Sequence, residues 1–180
     1  MKMSNKNLGS VIWVTGLSGS GKSTFANKLS NYLRTNDIPT ILLDGDDLRA
    51  VLDVSNSHYS RDERIKLGYI YARFCNYIAR QGYVVIIATI ALYRELHEWN
   101  RLHMPSYIEI LMNIPQDEIH KRNPKNLYSE FSAGNLTEVS GMDIEIDWPS
   151  DPHYTIEFSD YSFEEVAESI ILDLGNFYER

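Results

Sequence analysis

Apolar residues along the 180-residue chain follow two alternating rhythms. Short continuous runs, Val11-Ile-Trp-Val-Thr15, Thr40-Ile-Leu-Leu-Asp44, Tyr83-Val-Val-Ile-Ile-Ala88 and Tyr107-Ile-Glu-Ile-Leu-Met112, have the length and β-branched content of strands, the third so apolar that helices must cover both its faces. Between them the apolar positions recur at helical spacing. Lys22 to about Asn36 shows it through Phe25, Leu29, Tyr32 and Leu33. Ser60 to Gln81 predicts a long helix opened by a Ser60/Glu63 capping box and closed by Gly82. Leu92 to Leu102 can form a further helix, and Tyr154-Thr-Ile-Glu-Phe158 followed by Ser162 to Phe177 predicts a last strand and a closing helix. Strand and helix in regular alternation imply an α/β fold, a doubly wound parallel sheet flanked by helices. At this length one domain is expected, residues 1–180.

One interval breaks the rhythm. Asn123 to Pro152 is rich in proline, glycine and polar residues, with only a short helical stretch near Leu127 to Phe131. Long irregular segments in compact domains are often lids, so this one is expected to cover a site.

Charge narrows the substrate. Seventeen Lys+Arg against 25 Asp+Glu give a net charge of −8, which disfavours nucleic acid as a partner because such binding rests on phosphate neutralisation. A small molecule fits better. The only cysteine, Cys75, cannot form an internal disulfide; a buried helical thiol in a reducing compartment is expected. The run MKMSNKNLGS lacks the apolar core of a signal peptide and Val84 to Leu92 is too short to cross a bilayer, so a cytoplasmic protein with no membrane partner is expected.

The segment Gly16-Leu-Ser18-Gly19-Ser20-Gly21-Lys22-Ser23-Thr24 matches G-x-x-x-x-G-K-[ST], between a predicted strand and a predicted helix. Glycines let the backbone wrap phosphate oxygens with its N–H groups, Lys22 adds positive charge near the β/γ-phosphates, Ser23 offers a hydroxyl to Mg²⁺, and the helix points its positive end at the anion. Gly16, Ser18, Gly19, Ser20, Gly21, Lys22, Ser23 and Thr24 thus form a P-loop for ATP, with ATP and Mg²⁺ the expected cofactors. Leu43-Asp44-Gly45-Asp46-Asp47-Leu48-Arg49 follows at the carboxyl end of the second strand, where doubly wound sheets place ligands. Asp46 is the preferred base for an attacking hydroxyl, Asp44 a candidate to hold Mg²⁺, and Arg49 can bind an anionic acceptor. Both acids would equally suit capping a helix start, and the two roles can coexist. A switch GTPase would carry D-x-x-G and N-K-x-D, and neither occurs.

These motifs resemble the adenylylsulfate kinase family: GLSGSGKST, LDGDDLR, Ile90-Ala-Leu-Tyr-Arg94, Pro124-Lys-Asn-Leu-Tyr128, Gly134 and Gly141-Met-Asp143. The resemblance implies transfer of the ATP γ-phosphoryl to the ribose 3′-hydroxyl of a nucleotide. It adds Arg122 on the donor side, Lys125 and Leu127 from the lid, Tyr59, Arg64, Ile90, Ala91 and Val139 around the acceptor, and, by precedent, a homodimer. A non-catalytic nucleotide-binding regulator is the other class such a loop can serve.

The departures cluster on the acceptor side. The family's F-S-x-x-D-R-x-x-N-I-R-R becomes Tyr59-Ser-Arg-Asp-Glu-Arg64-Ile-Lys-Leu67-Gly-Tyr69-Ile70, so Leu67 replaces the Asn, and Tyr69 and Ile70 replace paired arginines. I-S-P-Y-R becomes Ile90-Ala-Leu-Tyr-Arg94, and the lid phenylalanine of N-F-T-G-[IL]-D becomes Val139 in Glu138-Val-Ser-Gly-Met-Asp143. Losing an aromatic from a base-stacking slot costs ~1–3 kcal/mol. An intact donor side with an altered acceptor side resembles the cytidine diphosphoramidate kinase branch, which serves capsule phosphoramidate synthesis: a pyrimidine suits a smaller slot, and an amidated phosphate fewer arginines. Adenylylsulfate and another nucleotide stay open as acceptors. Trp13 is expected to pack in the sheet, Trp99 and Trp148 to pack elsewhere, the histidines to be scattered surface groups, and Asp160, Glu164 and Glu165 to form a solvated helix start.

Overall fold

The computed structural model describes residues 9–54, 60–122, 124–157 and 161–178. Tyr59, Phe158 and Asp160 lie outside them. In chain order the elements are β1 (Val11–Thr15), α1 (Lys22–Thr35), β2 (Thr40–Asp44), α2 (Gly45–Val51), α3 (Arg61–Ala79), β3 (Val84–Ala88), α4 (Arg94–His103), β4 (Tyr107–Asn113), α5 (Gln116–Arg122), α6 (Leu127–Ser132), β5 (Tyr154–Glu157) and α7 (Phe163–Tyr178). The five strands and the four long helices stand where the periodicity puts them. Helix α2 begins at the helix start that Asp44 and Asp46 suit as caps, with Asp44 as N-cap, and α5 is an addition; each is seven residues, less than two and a half turns and too short to show a repeating apolar face.

All strands are parallel, in the order β2-β3-β1-β4-β5. The chain passes from β1 to β2 on one side and later from β3 to β4 on the other, so the order reverses around β1. A crevice opens there at the carboxyl edge, and the glycine-rich loop after β1 fills it.

Alternate residues of the sheet serve two cores. Ile12, Val14, Ile86, Ile108 and Ile110 pack with Phe25, Leu29 and Leu33 of α1 and Ile170 and Leu174 of α7. Val11, Trp13, Val85 and Ile87 pack with Tyr71, Ala72 and Cys75 of α3 and Leu96 of α4. Every residue of β1 and β3 is buried, which is why these strands read as unbroken apolar runs. The Ser60/Glu63 capping box opens α3 as expected. Cys75 is fully buried, and burial pushes its thiol pKa far up. Trp148 is more exposed than expected, at 44%, whereas Trp99 packs edge-on to Tyr69 and stacks on His103.

The histidines are not all surface groups. Glu109 in the middle of β4 is fully buried and accepts from Tyr107 Oη (2.8 Å) and Arg101 Nη2 (2.5 Å), with His97 Nδ1 at 2.6 Å. The Glu109 N–H donates to His153 Nδ1 (3.0 Å). Burial opposes the Glu109 charge, but His97, Tyr107 and Arg101 outweigh it and hold the pKa below the usual value. Burial first, then the Arg101 charge, lowers the pKa of His153. A lone histidine in a polar helix gives no sign of a carboxylate waiting on a strand.

Removing one member of a buried charge cluster strands the rest, so Glu109→Ala is expected to lower the unfolding free energy in urea by about 3 kcal/mol. Both pKa values lie lower in the folded state than in the unfolded chain, so the unfolded chain takes up more protons and stability drops as pH falls. The His153 contribution is complete above 6.5 and the Glu109 contribution above 4.5, each fading below that. His153→Asn, which keeps an acceptor for the Glu109 N–H, should therefore flatten the fall in stability between pH 7 and 5.

Candidate active site

The loop from Gly16 to Gly21 enters α1 through Gly21, a left-handed N-cap (φ 92°) without a side-chain cap, and no acid sits in the first turn of α1. The first N–H groups and the positive end of the helix dipole are thus left to an anionic ligand. Two glycines fix how closely the 123–152 segment approaches this loop. A Cβ on Gly19 (φ 83°) would lie 2.9 Å from Pro124 Cγ, and one on Gly141 (φ 82°) 2.8 Å from Leu17 Cδ2. Tyr128 Oη donates to the Ser18 carbonyl (2.9 Å) and Arg122 Nη1 to the Gly19 carbonyl (2.8 Å), so Arg122 stands beside the loop. Ser20 is buried and Thr24 exposed.

Lys22 is buried at the start of α1, its Nζ donating to the Leu17 carbonyl (2.7 Å). Burial lowers its pKa to about 8, with Asp44 pulling up and Arg49 pushing further down. Ser23 Oγ donates to Asp44 Oδ2 (2.5 Å), while Asp44 Oδ1 accepts from the Asp46 N–H (2.8 Å) as N-cap of α2. One carboxylate therefore caps a helix and faces the loop serine. These oxygens border a cavity of about 330 Å³ shared with Asn27, Asp46 and Asp47. Hydroxyl and carboxylate oxygens are ligands Mg²⁺ accepts. No cluster of three or more His, Cys, Asp or Glu is placed for a metal among the described residues.

A second cavity, of about 300 Å³, brings together Asp46, Arg49, Arg64, Ile90, Ala91, Leu127 and Val139. Asp46 borders both cavities and pairs with Arg49 one turn on. Of the other acceptor candidates, Tyr59 lies outside the described residues and Lys125 belongs to the 3₁₀ turn Pro124–Asn126. Leu67 lines the cavity, but Tyr69 turns away onto Trp99 with its hydroxyl donating to the Glu95 carbonyl, and Ile70 is 47% exposed. Among the described residues the cations lining this cavity are Arg49 and Arg64.

Sequence reasoning missed the ties that hold the cavity together. Thr15 Oγ1 donates to the Ile90 carbonyl (2.5 Å), joining the end of β1 to the acceptor loop. Arg64 Nη2 donates to the Glu138 carbonyl (2.6 Å), and Arg61 pairs with Asp147 (2.7 Å), whose N–H donates to the Leu92 carbonyl (2.9 Å). Thr89, Tyr93 and Glu138 also line the cavity. Arg61, Arg64, Ile90, Leu92, Tyr93 and Glu138 lie in the family-like segments, but their bonds join residues dozens of positions apart and leave no local signal.

The sequence profile of the family described as adenylylsulphate kinase matches residues 8–157. The chain belongs to that family. Relatives include the cytidine diphosphoramidate kinase of Campylobacter jejuni, 34% identical over 170 residues that cover 94% of this chain and 99% of the relative. The adenylyl-sulfate kinase of Gloeothece citriformis is also 34% identical, over 168 residues covering 92% of each chain. Among solved structures, the Mycobacterium tuberculosis APS kinase in complex with AMPPNP and APS has a TM-score of 0.83 at 28% identity, covering 93% of this chain and 98% of its own. The family sheet is the P-loop NTPase fold. This adenylylsulphate kinase family member is an ATP-using kinase, a phosphotransferase. No helix among the described residues is long and apolar enough to cross a membrane.

Lys22 makes two expectations measurable. A triphosphate favours its charged form, so above pH 8 ATP binding must draw in a proton and weaken as pH rises; calorimetry in buffers of different ionisation enthalpy should detect uptake at pH 9 and little at pH 7. A pKa of about 8 instead of 10.5 corresponds to about 3 kcal/mol of destabilisation at neutral pH, regained as pH rises from 8 to 10.5. Lys22→Ala should thus lower kcat by ~10²–10³-fold with no loss of folding stability.

Proposed function

We propose that this kinase transfers the γ-phosphoryl of Mg-ATP to the ribose 3′-hydroxyl of cytidine diphosphoramidate, a step in capsule phosphoramidate synthesis. The observation that carries the reading is the makeup of the acceptor cavity. Val139, 4% exposed, stands where an aromatic would flank a purine, Leu67 replaces an amide, and the positions of the paired arginines turn outward as Tyr69 and Ile70. A small base and an amidated phosphate suit that lining.

The P-loop N–H groups and Lys22 hold the β/γ-phosphates and stabilise the charge that spreads over the transferred group. Ser23 and Asp44 would hold Mg²⁺, which when bound neutralises the phosphates. Asp46, at the junction of the two cavities, accepts the 3′-hydroxyl proton as the new O3′–phosphorus bond forms and the bond to the β-phosphate bridging oxygen breaks, releasing ADP. Arg49 and Arg64 orient the acceptor, with Tyr59, Ile90, Ala91, Lys125 and Leu127 around it, and Arg122 lies on the donor nucleotide. The 123–152 segment acts as the lid of one 180-residue domain. A homodimer is proposed on family precedent, and a cytoplasmic site on the ATP requirement and the lone buried thiol.

Adenylylsulfate is the second reading, favoured by the equal identity to the Gloeothece citriformis enzyme. The two separate in steady-state assays with each acceptor, the new phosphate being located by phosphorus NMR. Cytidine diphosphoramidate should give the higher kcat/KM, by ~10-fold or more, and a 3′-phosphate product; the opposite order would overturn the assignment.

A further inference from the structure

We propose that Glu138 selects the acceptor by accepting a hydrogen bond from a neutral amine on it. The inference rests on the cytidine diphosphoramidate reading and names the residue that enforces it. Glu138 lines the acceptor cavity beside Arg64, Val139 and Ser140. It is a non-glycine residue in the left-handed region (φ 62°), a conformation that persists only where neighbours over-determine it. They do so on both sides of its Cα. Its N–H donates to Asp143 Oδ2 (2.7 Å), the Val139 N–H to Asp143 Oδ1 (2.6 Å), and its carbonyl accepts from Arg64 Nη2 (2.6 Å). Burial opposes the Asp143 charge, but the backbone donors of Glu138, Val139 and Asp143 itself win and keep its pKa low, so the clamp survives at neutral pH. The peptide groups on either side of the Glu138 Cα are thereby fixed at the cavity wall.

The chemistry of the side chain does the selecting. The family motif has an asparagine here, whose amide both donates and accepts; a carboxylate only accepts. Sulfate and the terminal phosphoramidate each carry one negative charge, but sulfate offers no hydrogen, so a carboxylate that only accepts gains nothing from it. Cytidine diphosphoramidate carries two amines that satisfy a carboxylate, the phosphoramidate –NH₂ and the cytosine 4-amino group. Both are neutral N–H donors, and uridine diphosphoramidate and cytidine diphosphate each lack one of them.

The test measures kcat/KM of wild type and Glu138→Ala on these three acceptors and adenylylsulfate, with Glu138→Gln, which keeps the length and one acceptor oxygen, alongside. An ATP Kd within twofold of wild type in each variant establishes that the fold and the donor site are intact. Glu138→Ala is expected to lose ~10-fold or more on cytidine diphosphoramidate, Gln less, while one analogue changes by under about twofold. If that analogue is uridine diphosphoramidate, the residue reads the base amine; if it is cytidine diphosphate, the phosphoramidate. Equal losses on all three acceptors, or no loss on cytidine diphosphoramidate, would overturn the inference. Wild-type preference for adenylylsulfate would overturn the reading beneath it.

Discussion

The contact between Ser23 and Asp44 joins the two halves of the site. Ser23 lies in the first turn of α1, directly after the loop that ends β1, Asp44 at the end of β2, and one strand, β3, stands between β1 and β2 in the sheet. Asp44 reaches across with one oxygen at 2.5 Å from Ser23 Oγ and turns the other back to cap α2. Helix α2 then carries Asp46 and Arg49 into the second cavity. Groups on the two cavities thus share one reference point, and phosphoryl transfer in general gains most of its rate from such positioning. The switch point around β1 makes the crevice, and Asp44 sets what stands on its far side.

Around that frame the acceptor cavity is assembled from distant pieces. Arg61 and Arg64, one turn apart at the start of α3, hold the 138–147 stretch at its two ends, Glu138 and Asp147. Thr15 holds the 90–91 loop to β1, and Gly141 packs against Leu17 of the P-loop. The substrate-facing surfaces therefore depend on side chain to backbone bonds between segments, where a few substitutions can change the acceptor without disturbing the phosphate loop. On the proposed reading, Leu67, Val139 and Glu138 are such substitutions.

Much of this was legible in the chain. Strands buried on both faces must be apolar throughout, so β1 and β3 declared themselves, and the Ser60/Glu63 pair announced the start of α3. The P-loop was legible because its function constrains residue types at fixed spacing. What stayed hidden was non-local or short: α5, the partners of Glu109 and His153, and the bonds that pin Glu138 through Asp143. For Asp44 the sequence left capping and chemistry open together, and the geometry has the carboxylate capping α2 and contacting Ser23 at once.

The double role of Asp44 is tested most directly by acceptor KM in Asp44→Asn and Asp44→Ala. Asparagine still caps α2 through Oδ1 but turns its Nδ2 toward Ser23, donating where the carboxylate accepted, and loses the charge; alanine loses both the cap and the contact. Both variants should lose kcat, but only Asp44→Ala should raise the acceptor KM, by ~10-fold or more, as Asp46 and Arg49 shift with an uncapped helix. An acceptor KM that is the same in the two variants would contradict the account.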